Sequence, residues 1–273
     1  MPRRGSDLAC AVWFALMVIA SRAAAQQAAL PPEHATHLSQ QLENRVGDLI
    51  SIPFQFNFNS GGAFGAQTVF ELRVQPLIPI HLTPHWNLLS RTIVPFLSIP
   101  TVDGGHSSGL DDIEEELFIS PAKHRGFVWG VGPRVRFPTA TIAGIATGSW
   151  AAGPVGVASW VGGSWVVGAL VNVDYTFAHS GDQASFGILR VQPFINYNLG
   201  RGWSLLTTPM IASRWSGDDD ARWNVPVGGG IAWTTKIEAQ PISLSVQYYY
   251  NVVHPDASTS NLLRFVVVFL FPR

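Results

Sequence analysis

The chain has 273 residues, a formal net charge of −1 and 13% charged side chains, where soluble domains carry about 25%. Hydrophobic residues make up 47%, so much apolar surface must meet something other than water, and a lipid bilayer is one such medium. The near-neutral balance leaves no basic face and excludes nucleic acid as a partner. The single cysteine, Cys10, leaves neither a disulfide framework nor a thiolate metal site.

Residues 1–25 read as a cleaved signal peptide. Arg3 and Arg4 supply the positive start, Leu8 to Ala20 an uncharged apolar core, and Ala23-Ala24-Ala25 a small-residue cleavage pattern before Gln26. The core is short for a spanning helix, which needs about 20 residues. Cleavage removes Arg3, Arg4, Arg22 and Asp7 and leaves 14 basic and 17 acidic residues. The next segment, residues 26–47, is polar apart from Leu38, Leu42 and Val46 at a spacing of four, the pattern of a short periplasmic helix or a tail.

From residue 48 onward no apolar run approaches the length of a helical span. Segments of alternating polarity follow one another instead. Ile50, Ile52, Phe54, Phe56 and Phe58 oppose Ser51, Pro53, Gln55, Asn57 and Asn59. Phe70, Leu72 and Val74 oppose Glu71, Arg73 and Gln75. The same period of two recurs over Val171–Phe177, Leu189–Asn198 and Ile242–Val252. Twelve strands are expected, near 48–59, 66–80, 86–99, 110–120, 126–138, 150–161, 164–178, 184–199, 202–214, 222–236, 241–253 and 261–271. Connections alternate short and long, as in outer-membrane barrels with periplasmic turns and outer loops. An apolar chain without spanning helices crosses lipid only as a closed barrel, because every backbone polar group needs an internal partner. The expected fold is all-β: a transmembrane antiparallel up-and-down β-barrel over residues 48–273, in the bacterial outer membrane, with lipid outside and a small-molecule solute as partner. No cofactor is expected.

Nine tryptophans fall near strand ends: Trp86, Trp129, Trp150, Trp160, Trp165, Trp203, Trp215, Trp223 and Trp233. That placement suits the two membrane–water interfaces, where an apolar ring with a polar N–H is best solvated. The polar faces are then expected to line the interior. The candidates are Glu71, Arg73, Arg91, Glu114, Glu116, Arg134, Arg136, Asp174, Arg190 and Arg264, charges able to set selectivity or to pair across the lumen. The acidic run Asp111, Asp112, Glu114, Glu115 and Glu116 is expected to begin at the outer mouth, as a solvated loop edge or a divalent-cation site, and Asp218-Asp219-Asp220 occupies another outer loop.

Several stretches resemble the phenol-degradation meta-pathway (MetA-type) family of outer-membrane transporters. They include Leu49 to Gln55, Val74-Gln75-Pro76, Trp86 to Thr92, Phe118 to Pro121, Trp129 to Pro133, Phe137 to Thr141, Ala152-Gly153-Pro154 and Leu263 to Pro272. The resemblance covers roughly residues 43 to 273. It implies an outer-membrane barrel that takes up hydrophobic or aromatic compounds and brings no catalytic residues with it. Two other readings stay open. One is a non-transporting barrel that acts through its outer loops. The other is a lipid-modifying enzyme, for which His106-Ser107 is the one candidate pair, without an orienting third residue or a G-x-S-x-G elbow.

Overall fold

The computed structural model describes residues 49–122, 126–142, 148–179, 186–215, 222–256 and 258–271. The expected signal peptide, the 26–47 segment and Asp218-Asp219-Asp220 lie outside the described residues. Fifteen strand pieces make one sheet: β1 (Ile50–Ser60), β2 (Thr68–Val74), β3 (Leu77–Thr83), β4 (Trp86–Pro100), β5 (His106–Leu110), β6 (Glu114–Pro121), β7 (Phe127–Arg136), β8 (Ser149–Gly162), β9 (Trp165–His179), β10 (Gly187–Gly200), β11 (Trp203–Thr207), β12 (Ile211–Trp215), β13 (Arg222–Ile237), β14 (Gln240–Val253) and β15 (Asn261–Phe271). Every pairing is antiparallel, and β1 pairs with β15 from Ile50↔Phe271 to Ser60↔Asn261. That pairing closes the sheet into a ring, with β5 paired on one side only, to β4.

Three of the twelve spanning strands are broken in two: β2/β3, β5/β6 and β11/β12. Two breaks contain a proline, Pro76 and Pro209, whose missing N–H cannot enter a ladder. The backbone at each break finds other partners. Thr92 N–H donates to the Pro76 carbonyl at 3.2 Å, and Thr208 N–H donates to the Tyr249 hydroxyl at 2.7 Å. At the third break Ile113 N–H donates to Thr139 Oγ1 at 2.8 Å. The stretch expected as an outer loop before residue 110 is partly strand: β5 extends the wall against the end of β4, Pro100↔His106 to Phe96↔Leu110.

The two faces separate as the period of two requires. On β9, Val167, Val171 and Tyr175 are exposed on the outside, while Val166, Leu170 and Asp174 are buried on the inside. The outward set is apolar around the circuit, from Phe54 and Phe58 to Val246 and Phe269. The tryptophans sit at strand ends: Trp86, Trp129, Trp160, Trp165, Trp203 and Trp233 toward the short turns, Trp150, Trp215 and Trp223 toward the long loops. Ring contacts tie neighbours in the first group, Trp86 with Trp129 and Trp203 with Trp233.

Part of the interior is not polar, against the expectation from the alternation. Leu89, Phe118, Val128, Val155, Val157, Val166, Leu170 and Phe194 form one buried cluster. They come from β4 and β6 through β10, near the short-turn end. Glycine makes room for it. A Cβ on Gly168 would fall 2.4 Å from the Phe194 ring that packs over it. Lipid outside supplies no hydrophobic drive for inward residues, so this cluster is a small packed core in its own right.

Candidate functional site: a polar belt on the inner wall

All ten charged candidates occupy inward positions. Arg91, Glu116 and Arg134 are in direct register across β4, β6 and β7. Arg134 is the hub, with its side chain 2% exposed. It contacts Glu114 at 2.6 Å, Glu116 at 2.5 Å and Asp174 at 2.8 Å. Asp174 also holds Arg190 at 2.5 Å, Glu116 holds Arg91 at 2.9 Å, and Glu71 holds Arg73 at 2.6 Å. Four guanidiniums (Arg73, Arg91, Arg134, Arg190) therefore meet four carboxylates (Glu71, Glu114, Glu116, Asp174). Arg136 stands apart, 3.8 Å from Asp112 and with its guanidinium over the Phe186 ring.

Arg134 on β7 reaches Asp174 on β9 by crossing β8. The residue beneath it in register is Gly153. A Cβ there would lie 1.7 Å from the Val173 carbonyl oxygen. Only glycine allows β8 and β9 to approach this closely and leaves the path clear.

A second group completes the belt on the opposite wall. Arg264 Nε donates to Asn57 Oδ1 at 3.0 Å, and its Nη1 donates to the Thr208 carbonyl at 3.2 Å and the Thr208 hydroxyl at 3.3 Å. Thr208 Oγ1 and the Tyr249 hydroxyl both donate to Gln247 Oε1, at 3.0 and 2.8 Å. Asn57 Nδ2 donates to Glu71 at 2.8 Å and joins the two groups. Gln55, Gln75 and Arg91 continue the chain of bonds along the wall. Thr208 and Tyr249 were not among the residues singled out from sequence. Pro209 was the available signal, because a proline inside a strand frees nearby backbone to point into the lumen.

Below this belt, toward the short turns, lies a cavity of about 150 Å³. Arg264, Gln75, Gln192 and Gln247 line it together with Phe118, Leu170, Leu206 and Val266.

The acidic run does not form a loop edge. Glu114 and Glu116 belong to the belt, and Asp112 accepts from Ala140 N–H at 3.1 Å. Glu115 turns to the outer face with Ser90 and Thr92, whose hydroxyls donate to its two oxygens at 2.6 Å each. A strand forces this split, since consecutive side chains leave opposite faces. Among the described residues no group of three or more His, Cys, Asp or Glu is placed to hold a metal. His106 and Ser107 are consecutive residues of β5 and so point to opposite sides of the wall, which removes the nucleophile–base geometry.

A closed sheet with an apolar outer face and tryptophans at both rims has one setting. The chain is a bacterial outer-membrane β-barrel. Solved structures share the fold. An outer membrane channel from Pseudomonas putida F1 superposes with a TM-score of 0.59 at 13% identity, covering 82% of this chain and 94% of that one. The NanC porin superposes with a TM-score of 0.54 at 11% identity, covering 81% and 100%. No protein-family model matches the sequence, and no curated protein matches it.

Proposed function

We propose that this barrel is a channel for passive uptake of small hydrophobic or aromatic solutes, and that the belt charges are its selectivity layer. The observation that carries the reading is the interior itself. A belt of ion pairs runs along the inner wall from β4 to β10, and beneath it a cavity combines polar groups with apolar walls. A barrel that only anchors loops has no need of such a chamber. The fold shared with the Pseudomonas putida channel and the NanC porin supports the same reading.

The test is single-channel conductance of purified protein in planar bilayers, paired with uptake of phenol into protein-loaded vesicles. Discrete conductance steps and protein-dependent uptake are expected. The absence of both rejects transport. It favours instead a non-transporting barrel, the reading to which the three carboxylate contacts of Arg134 along the inner wall would then belong.

A further inference from the structure

Of the six inward arginines singled out from the sequence, five contact a carboxylate: Arg73, Arg91, Arg134, Arg136 and Arg190. Arg264 is the exception. It is 6% exposed, and its hydrogen bonds go to neutral groups on Asn57 and Thr208. Its Nη2 makes no hydrogen bond among the described residues, and its guanidinium lies 5.2 Å from the centre of the Tyr249 ring. Glu71 reaches it only through Asn57; an enclosed cation with no carboxylate in direct contact is costly, and such a residue at membrane depth points to a ligand that supplies the charge.

Arg264 is also a wall of the cavity below the belt. Asn57 and Thr208 fix the guanidinium from two sides and leave the Nη2 donors for an incoming acceptor. The remaining wall mixes apolar side chains, among them Phe118, Leu170, Leu206 and Val266, with polar ones that include Arg91 and Gln192. A cavity near 150 Å³ is the size that admits one benzene ring. It is small for a sugar or a nucleotide, given that sites for drug-sized ligands occupy about 300–1,000 Å³.

We propose that Arg264 and this cavity form a binding site for a small carboxylate carried on a single apolar ring. The carboxylate takes the Nη2 donors and neutralises Arg264, and the ring lies against Phe118 and Leu170. This deepens the channel reading, on which it rests for the ligand's role in transport, by naming the charge and size of the solute.

The experiment is calorimetric titration of the full-length protein in detergent micelles with benzoate, benzamide and acetate. Benzoate is expected to bind saturably at one site. Benzamide lacks the charge and acetate lacks the ring, and each should bind at least about tenfold more weakly, a loss of about 1.4 kcal/mol. Arg264→Gln should weaken benzoate by a similar factor or more, and Arg264→Lys, which keeps the charge without the fork, by less. Equal benzoate affinity in Arg264→Gln overturns the proposal, as does equal binding of benzamide or acetate, or no saturable binding of benzoate to the folded wild type. If Arg264→Gln does not fold, Val266→Phe decides, since it narrows the cavity and leaves the guanidinium. Unchanged benzoate affinity in that variant overturns the proposal too. Binding without solute passage rejects the channel alone, and passage without Arg264-dependent binding rejects this site alone.

Discussion

Replacing Arg134 by methionine removes the hub of the belt while keeping an unbranched side chain. Its consequences can be worked residue by residue. Glu116 keeps Arg91 at 2.9 Å, and Asp174 keeps Arg190 at 2.5 Å. Among the described residues Glu114 keeps no ion pair, because its one guanidinium contact is with Arg134. The variant therefore leaves one carboxylate inside the barrel without a direct partner, with the Arg190 and Arg73 guanidiniums nearby but not in contact. Breaking a buried pair in this way costs about 3–5 kcal/mol. The Glu114 side chain is 15% exposed, which places the expected loss at the lower end, about 3 kcal/mol. Adding Glu114→Gln removes the orphaned charge and should recover about half of that loss. The assay is urea unfolding of protein folded into phospholipid vesicles, followed by tryptophan fluorescence. A loss below about 1 kcal/mol for Arg134→Met, or no recovery in the double variant, would refute the reasoning, because either result means that water already screens the belt.

The apolar cluster predicts that Phe118→Ala destabilises the barrel by about 3–5 kcal/mol in the same assay; a loss under about 1 kcal/mol would mean that the inward cluster is not packed. Val171 lies near the middle of β9 on the outer face, so Val171→Arg should cost about 2–4 kcal/mol in vesicles, and a neutral effect would argue against lipid contact there. Glu115, on the lipid side with Ser90 and Thr92, should be modified by dicyclohexylcarbodiimide partitioned into the bilayer and spared by a water-soluble carbodiimide; equal labelling by both reagents contradicts that placement. Changing Glu114 and Glu116 together to glutamine leaves the belt with excess guanidinium, so the reversal potential should move toward anion selectivity, and an unmoved potential would detach these residues from the ion path.

The wall of this barrel was legible in the chain. Alternation with a period of two assigns Phe54, Phe56 and Phe58 to one face and Gln55 and Asn57 to the other, and no partner is needed to read it. The same rule counted twelve strands and put the charged candidates inside. It also contained the fate of Glu115, because three consecutive glutamates in a strand cannot share a face. The cluster was instead expected as a loop edge, since charge runs usually lie in water.

Three features depended on tertiary structure. The first is pairing inside the lumen. Arg134 and Asp174 are 40 residues apart and meet only because β7, β8 and β9 are neighbours and Gly153 leaves a gap between them. The second is the inward apolar cluster. In stretches such as Val166-Val167 both faces are apolar, so periodicity carries no information about which side packs and which meets lipid. The third is the isolation of Arg264. Sequence marks it as an inward charge, but the lack of a carboxylate beside it is set by closure of β1 against β15 and by the break at Pro209. Period and polarity are local properties that each strand carries by itself. Partnership along the inner wall is a property of the closed ring, and no single strand contains it.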